Sequence, residues 1–229
     1  MLADSAGFWM RLVEFVQSEG LWKSLFTDFV TLFVVVDPIG TVPLFLAIAG
    51  ARPPAELNRI ANRAVLIAAC VLIAFLFAGQ FVLEAMGIGI HAFRIAGGIV
   101  LFYLAFTMIF AEPKAQKRDV QEVEGDPAIF PLGMPAIAGP GTILTVVVLT
   151  DYHRFSFVDQ ARTGVVLLLV LFVQWAFLRA AIPLQRLMGM GGANILSRVM
   201  GLILAALAVE TILAGLRAAG FALPTTMPG

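Results

Sequence analysis

Two apolar segments of this chain are interrupted at a depth where a membrane-crossing helix has no water to repair a break. One reads Val34-Val35-Val36-Asp37-Pro38-Ile39-Gly40-Thr41-Val42-Pro43. The other reads Pro131-Leu132-Gly133-Met134-Pro135-Ala136-Ile137-Ala138-Gly139-Pro140-Gly141-Thr142. Each carries two prolines at the same spacing: Pro38 and Pro43, Pro135 and Pro140. Proline removes a backbone donor and clashes with the preceding turn. Lipid offers the freed groups no new partner, so such breaks persist only where protein or a water-filled cavity covers them. Breaks at corresponding places in two halves of a chain are a sequence pointer to a transport site.

The chain has 229 residues, 60% hydrophobic and 13% charged, against about 25% charged in soluble domains. Apolar runs of about 20 residues then place it in the bilayer. An all-α integral membrane fold follows, with six spans at about 27–49, 64–84, 92–110, 129–150, 163–182 and 194–216. At about 1.5 Å per residue each crosses the roughly 30 Å hydrocarbon layer.

Several function classes drop out. A formal net charge of zero disfavours nucleic acid as a partner. Cys70 is the single cysteine, so neither an intrachain disulfide nor a thiolate metal site is expected. His91 and His153 lie outside any metal-ligand spacing, and no phosphate-binding G-x-x-x-x-G-K-[ST] motif occurs. No cofactor, no metal and no cleavable signal peptide are expected. An aspartyl intramembrane protease would need two facing aspartates, and Asp37 has no such partner in the other spans, so no enzyme is expected.

The organisation is read as follows. Residues 1–23 form an amphipathic surface segment, with Phe8, Trp9, Leu12, Val13 and Val16 on one face and Trp9 and Trp22 as interfacial anchors. Residues 24–110 form a first three-helix repeat, 111–128 a charged connecting loop, 129–217 a second repeat and 218–229 a tail. Two matches relate the halves: the paired prolines, and the R-x-x-G-x-I of Arg94–Ile99 and Arg198–Ile203. An odd number of spans per half makes the repeat inverted. Lys and Arg divide nine to six between the two faces. That bias puts 50–63, 111–128 and 179–193 in the cytoplasm, with both termini outside.

Asp37-Pro38 reads as a helix start, since Asp is a favoured N-cap and Pro a favoured first residue. A first half-helix ends near Val36 and a second starts at Pro38. In the fourth span, Gly139 or Thr142 caps a half-helix running to Thr150. Interruptions are predicted at Val36–Pro38 and Ala138–Gly141, close together near mid-membrane. Helix N-termini present free N–H groups and partial positive charge. Two such ends suit a small anion such as a carboxylate, with Asp37 beside them for an ammonium group or coupling cation. The candidate substrate site is Asp37, Pro38, Gly40, Thr41, Pro43, Pro135, Gly139, Pro140, Gly141 and Thr142. Asp37, Glu210, Arg94 and Arg198 are candidates for ion coupling or gating, because charge inside a membrane is costly. The bland readings are structural kinks for the breaks and interfacial anchoring for the arginines. Small residues Gly97, Gly98, Gly201, Ala205, Ala206 and Ala208 let the third and sixth spans pack closely beside the broken ones.

The stretch Phe33–Phe45, the stretch Pro135–Thr142 and the R-x-x-G start of the last span resemble the MarC family of small integral membrane proteins, over about residues 24 to 217. The resemblance implies six spans and a bacterial inner-membrane location. It also implies a secondary transporter or exporter of a small polar solute, with neutral amino acids first. Within the family's two motifs it points to Asp37, Pro38, Gly40 and Pro43, and to Pro135, Gly139, Pro140, Gly141 and Thr142. The expected partners are the lipid bilayer, a small-molecule substrate, a coupling proton or sodium ion, and a second copy in a homo-oligomer. The competing readings are a passive channel and a non-transporting structural or sensory membrane protein.

Overall fold

A computed structural model describes residues 19–49, 52–110, 125–151 and 156–221. The amphipathic segment expected before residue 19 and most of the charged loop 111–128 lie outside the described residues. Helices α1 (Glu19–Val36), α2 (Thr41–Ala49), α3 (Pro54–Ala85) and α4 (Ile90–Phe110) come first. A wide-turn segment (Ala128–Ile137) follows, then α5 (Pro140–Leu149), α6 (Phe157–Arg179) and α7 (Ala181–Ala218). No strand occurs among the described residues. Five stretches are long and apolar enough to cross a membrane, α1 and α2 counting as one. The pair Ala128–Ile137 and α5, bent by 50°, makes a sixth candidate if it crosses as one broken span and is not a re-entrant loop.

Local chemistry sets the ends. Pro53 and Pro54 open α3, where the missing N–H costs nothing. Gly87, at φ 69, closes it, and the amides of Gly87 and Ile88 return to Glu84 and Leu83. Ser156 and Asp159 form a reciprocal capping box at the start of α6. Helix α3 starts well before the expected 64 and α7 before the expected 194. The helices outrun their apolar stretches because helix ends are set by caps, not by the bilayer edge. The polar start of α3 carries Arg63, which pairs with Asp126 at 2.6 Å.

One core cluster gathers the middle of the molecule. It holds Val36, Val42 and Phe45 from either side of the first break, Ile137, Ala138 and Val146 from either side of the second, and Val170 and Leu171 from α6. A second cluster joins Val35, Leu101 and Ala105 to Leu204 and Ala208. Helices α4 and α7 form the most extensive pair, and they run antiparallel. A Cβ at Gly98 would meet Ile212 and the Ala208 carbonyl, and a Cβ at Gly201 would meet Ile109 and the Ala105 carbonyl. The pattern G-x-x-L-x-x-x-A-x-x-x-I therefore recurs in packing, as Gly98, Leu101, Ala105, Ile109 and as Gly201, Leu204, Ala208, Ile212. The R-x-x-G match pairs Gly97 with Gly201. The packing pairs Gly98 with Gly201, a shift of one residue, because Gly97 faces Leu144 of α5 instead.

Candidate functional site

The first break is built around one residue. The Asp37 backbone is left-handed, at φ 50, a region that Asp tolerates better than most side chains. Its N–H donates to the Phe33 carbonyl at 3.0 Å, completing α1. Its Oδ1 accepts the Gly40 N–H at 3.0 Å, opening α2. Residues 38–40 form the turn, so α2 starts at Thr41 and not at Pro38 as the sequence suggests. Pro38 follows the turn residue, and Pro43 sits in the first turn of α2, where no intrahelical donor is required. The Thr41 N–H bonds to Asp37 O at 3.1 Å and the Val42 N–H to Ile39 O at 3.2 Å. The amides of Gly40, Thr41 and Val42 are thus all engaged within the turn. Of the donors expected here for an anion, those of Gly40, Thr41 and Val42 are taken by the turn and the Asp37 cap.

The side chains leave acceptors in its place. Asp37 is 8% exposed and has no cationic partner among the described residues. Its carboxylate receives the Gly40 bond on Oδ1 alone. The Thr41 hydroxyl donates to the Pro38 carbonyl at 3.0 Å and accepts from Gln174 Nε2 of α6 at 2.7 Å. Gln174 is 0% exposed, and its Oε1 has no hydrogen-bond partner.

The second break differs. Phe130 (φ −128, ψ 130) and Met134 (φ −134, ψ 129) are extended, each immediately before a proline. Both peptide bonds into Pro131 and Pro135 are cis. The expected first half of the fourth span is a ten-residue wide-turned segment interrupted at Phe130 and Met134, and not a helix that breaks once. Helix α3 covers it: Gly133 lies close to the Ala64 carbonyl and Ile67. Gly139 is the N-cap of α5 and Pro140 its first residue, without a capping side chain. Thr142 does not cap, since its hydroxyl turns back to the Ile137 carbonyl at 3.0 Å. The first-turn amides of Gly141 and Thr142 are the donors this end offers.

Both breaks touch α4. A Cβ at Gly40 would meet Met108, and one at Gly141 would meet Leu101 at 2.4 Å. Those two α4 residues are separated by about 10 Å of helix rise. The space beside Gly141 is filled by Leu101, so this glycine serves close packing with α4. Pro135 and Pro140 are exposed, whereas Pro38, Gly139, Gly141 and Thr142 are buried.

The charged candidates separate. Arg94 is buried near Gly215 of α7, while Arg198 is exposed. Glu210 is 65% exposed and bonded to Arg217 at 3.3 Å, two turns along the same face of α7. It points away from the core and is not brought to either break. Buried polar residues that sequence reasoning passed over are Gln174, Gln80, Asp151 and Thr163. Gln80 Nε2 donates to Asp151 Oδ1 at 2.9 Å, and Thr163 donates to Asp28 at 3.2 Å. Gln174 had one usable signal: it is a lone amide on the same stripe as Val170, Leu171 and Leu178.

A family profile described as MarC family integral membrane protein matches residues 22–219. A membrane protein of Buchnera aphidicola is 36% identical over 193 residues, covering 82% of this chain and 90% of that relative. The inner membrane protein MarC of Escherichia coli K12 is 34% identical over 210 residues, covering 86% of this chain and 95% of that protein. No solved structure matches.

Proposed function

The chain belongs to the MarC family of integral membrane proteins, is a multi-pass inner membrane protein, and on that footing we propose that it is a secondary transporter or exporter of a small polar solute. The observation that carries this reading is the pair of broken spans meeting in one core cluster. At the first of them stands a polar cluster of Asp37, Thr41 and Gln174 whose carboxylate has no cationic partner among the described residues, an expensive arrangement in an apolar core unless function retains it. The solute class we favour is a neutral amino acid. Its carboxylate suits the uncapped start of α5, and its ammonium group suits the acceptors at Asp37. Alternating access would move one three-helix half against the other. The matched glycine pattern on antiparallel α4 and α7 supports an inverted repeat, because exchange of two related helices preserves their contacts. The same exchange pairs α1 on α6 with the Ala128–Ile137 segment on α3.

The test is purified protein in liposomes with labelled small neutral amino acids, with and without imposed proton or sodium gradients. The expected result is accumulation against a concentration gradient that collapses when the ion gradient is dissipated. Rapid flux without accumulation would replace the carrier by a channel. Silence across the panel in both directions would leave a structural or sensory membrane protein.

A further inference from the structure

The first break carries more than a kink. Around it, the amides of Gly40, Thr41 and Val42 are spent, while three oxygens with free lone pairs remain: Asp37 Oδ2, Gln174 Oε1 and Thr41 Oγ1. A buried amide oxygen left without a donor is costly. A buried carboxylate without a cation is costlier still. Both costs sit on neighbours of the same residue, Thr41, inside a cluster otherwise built from Val36, Val42, Val170 and Leu171. A ligand that brings positive charge and no acceptor of its own relieves both at once.

We propose that Asp37, Thr41 and Gln174 form a cation subsite that takes one dehydrated monovalent cation, either Na⁺ or a substrate's ammonium group. Both sources share the chemistry that oxygen ligands recognise: a compact positive charge without competing acceptors. Charge balance sets the valence. Asp37 supplies one negative charge, and no other charged side chain acts on it among the described residues. A divalent ion would therefore leave a net positive charge in an apolar interior. Hard cations take carboxylate, carbonyl and hydroxyl oxygens, which is the set present here. Gln174 is the specificity-determining member. Its amide nitrogen is held on Thr41 Oγ1, which keeps the amide beside the turn with an Oε1 that has no donor of its own. Leucine would fill the same volume and provide no ligand. The proposal deepens the transport reading, on which it rests for the purpose of the subsite but not for binding itself.

The experiment uses the full chain in lipid nanodiscs. The thermal unfolding midpoint is followed against sodium chloride, methylammonium chloride and choline chloride at matched ionic strength. In the wild type, sodium or methylammonium should raise the midpoint saturably, and bulky choline should not. Saturation with sodium alone assigns an inorganic ion, and saturation with methylammonium alone assigns the ammonium end of a substrate. Gln174→Leu should unfold at or above the wild-type midpoint in choline, since it removes an unsatisfied buried amide. It should also raise the half-saturating concentration about tenfold or more, the loss expected for one ligand to a charge. Asp37→Asn should lose the rise altogether. A wild type indifferent to both cations overturns the proposal, as does an unchanged response in Gln174→Leu or Asp37→Asn. Liposomes that show no solute flux while the cation response persists would overturn the transport reading and leave the subsite standing.

Discussion

At the scale of single residues, Asp37 and Gly141 give opposite lessons. Asp37 performs two structural tasks, a left-handed backbone and a cap on Gly40. Asn does both nearly as well, while Ala does neither. Asp37→Ala should therefore lower stability by about 1–3 kcal/mol, combining a lost cap of roughly 1 kcal/mol with left-handed strain. Asp37→Asn should change it by less than about 0.5 kcal/mol. Unfolding in detergent, compared across the two variants, checks this. Any transport defect shared equally by both variants would belong to charge and not to folding. At Gly141 the added Cβ would fall 2.4 Å from Leu101 Cδ1. Gly141→Ala should cost about 1–3 kcal/mol by overpacking. Leu101→Ala introduced beside it should recover part of that loss, a coupling that a double-mutant cycle reads directly. A substrate-approach role for Gly141 would give no such recovery. The contrast shows what the sequence exposes at this scale. A charge in an apolar run announces itself, and Asp37 is found at once. The occupant of the space beside a glycine does not, because it lies forty residues away on another helix. Gln174 escapes for the same reason: an uncharged amide can face lipid, a neighbour or a cavity, and only the rotation of α6 decides.

At the scale of elements, the prolines and glycines were readable to within a turn. The breaks fall at 37–40 and at 138–139, close to the predicted interruptions. The start of α2 was misplaced by three residues, since Asp37 caps across a turn and not onto an adjoining helix. The Ala128–Ile137 segment is not the plain half-helix its apolar run suggests, because Pro131 and Pro135 each disfavour helical geometry in the residue before them. The α4–α7 seam makes the element-scale prediction. Gly98→Ala places a methyl 2.6 Å from Ile212 Cγ1 and 3.1 Å from the Ala208 carbonyl. Backbone cannot give way as a side chain can, so this clash should outweigh the roughly 1 kcal/mol that Ala gains over Gly in a helix. Gly164 of α6 meets only Leu76, at 3.5 Å. Gly164→Ala should therefore stabilise by up to about 1 kcal/mol. Unfolding midpoints measured side by side should move in opposite directions, and matching shifts would refute the seam as a close contact.

At the scale of the whole molecule, five to six candidate spans and a bilayer home follow from apolar run lengths alone, because length against hydrocarbon thickness is a one-dimensional constraint. Insertion direction depends on a modest excess of basic residues and calls for its own measurement. Reporter fusions should place residues 50–63 and 179–193 in the cytoplasm and the C-terminus outside; a C-terminal fusion active in the cytoplasm would reverse the assignment. The seam between α4 and α7 is less legible, since the R-x-x-G match aligns Gly97 with Gly201 while in packing it is Gly98 that plays the part of Gly201. Asp37 also has a consequence at this scale, for it is a clasp with two tongues. One carboxylate oxygen pins the corner between α1 and α2, and the other is left to meet whatever arrives. A cation held at the second would draw charge from the first, so filling the subsite would loosen the Gly40 bond that sets the corner between α1 and α2. Occupancy and bending would then be one event, felt together by both arms of the span.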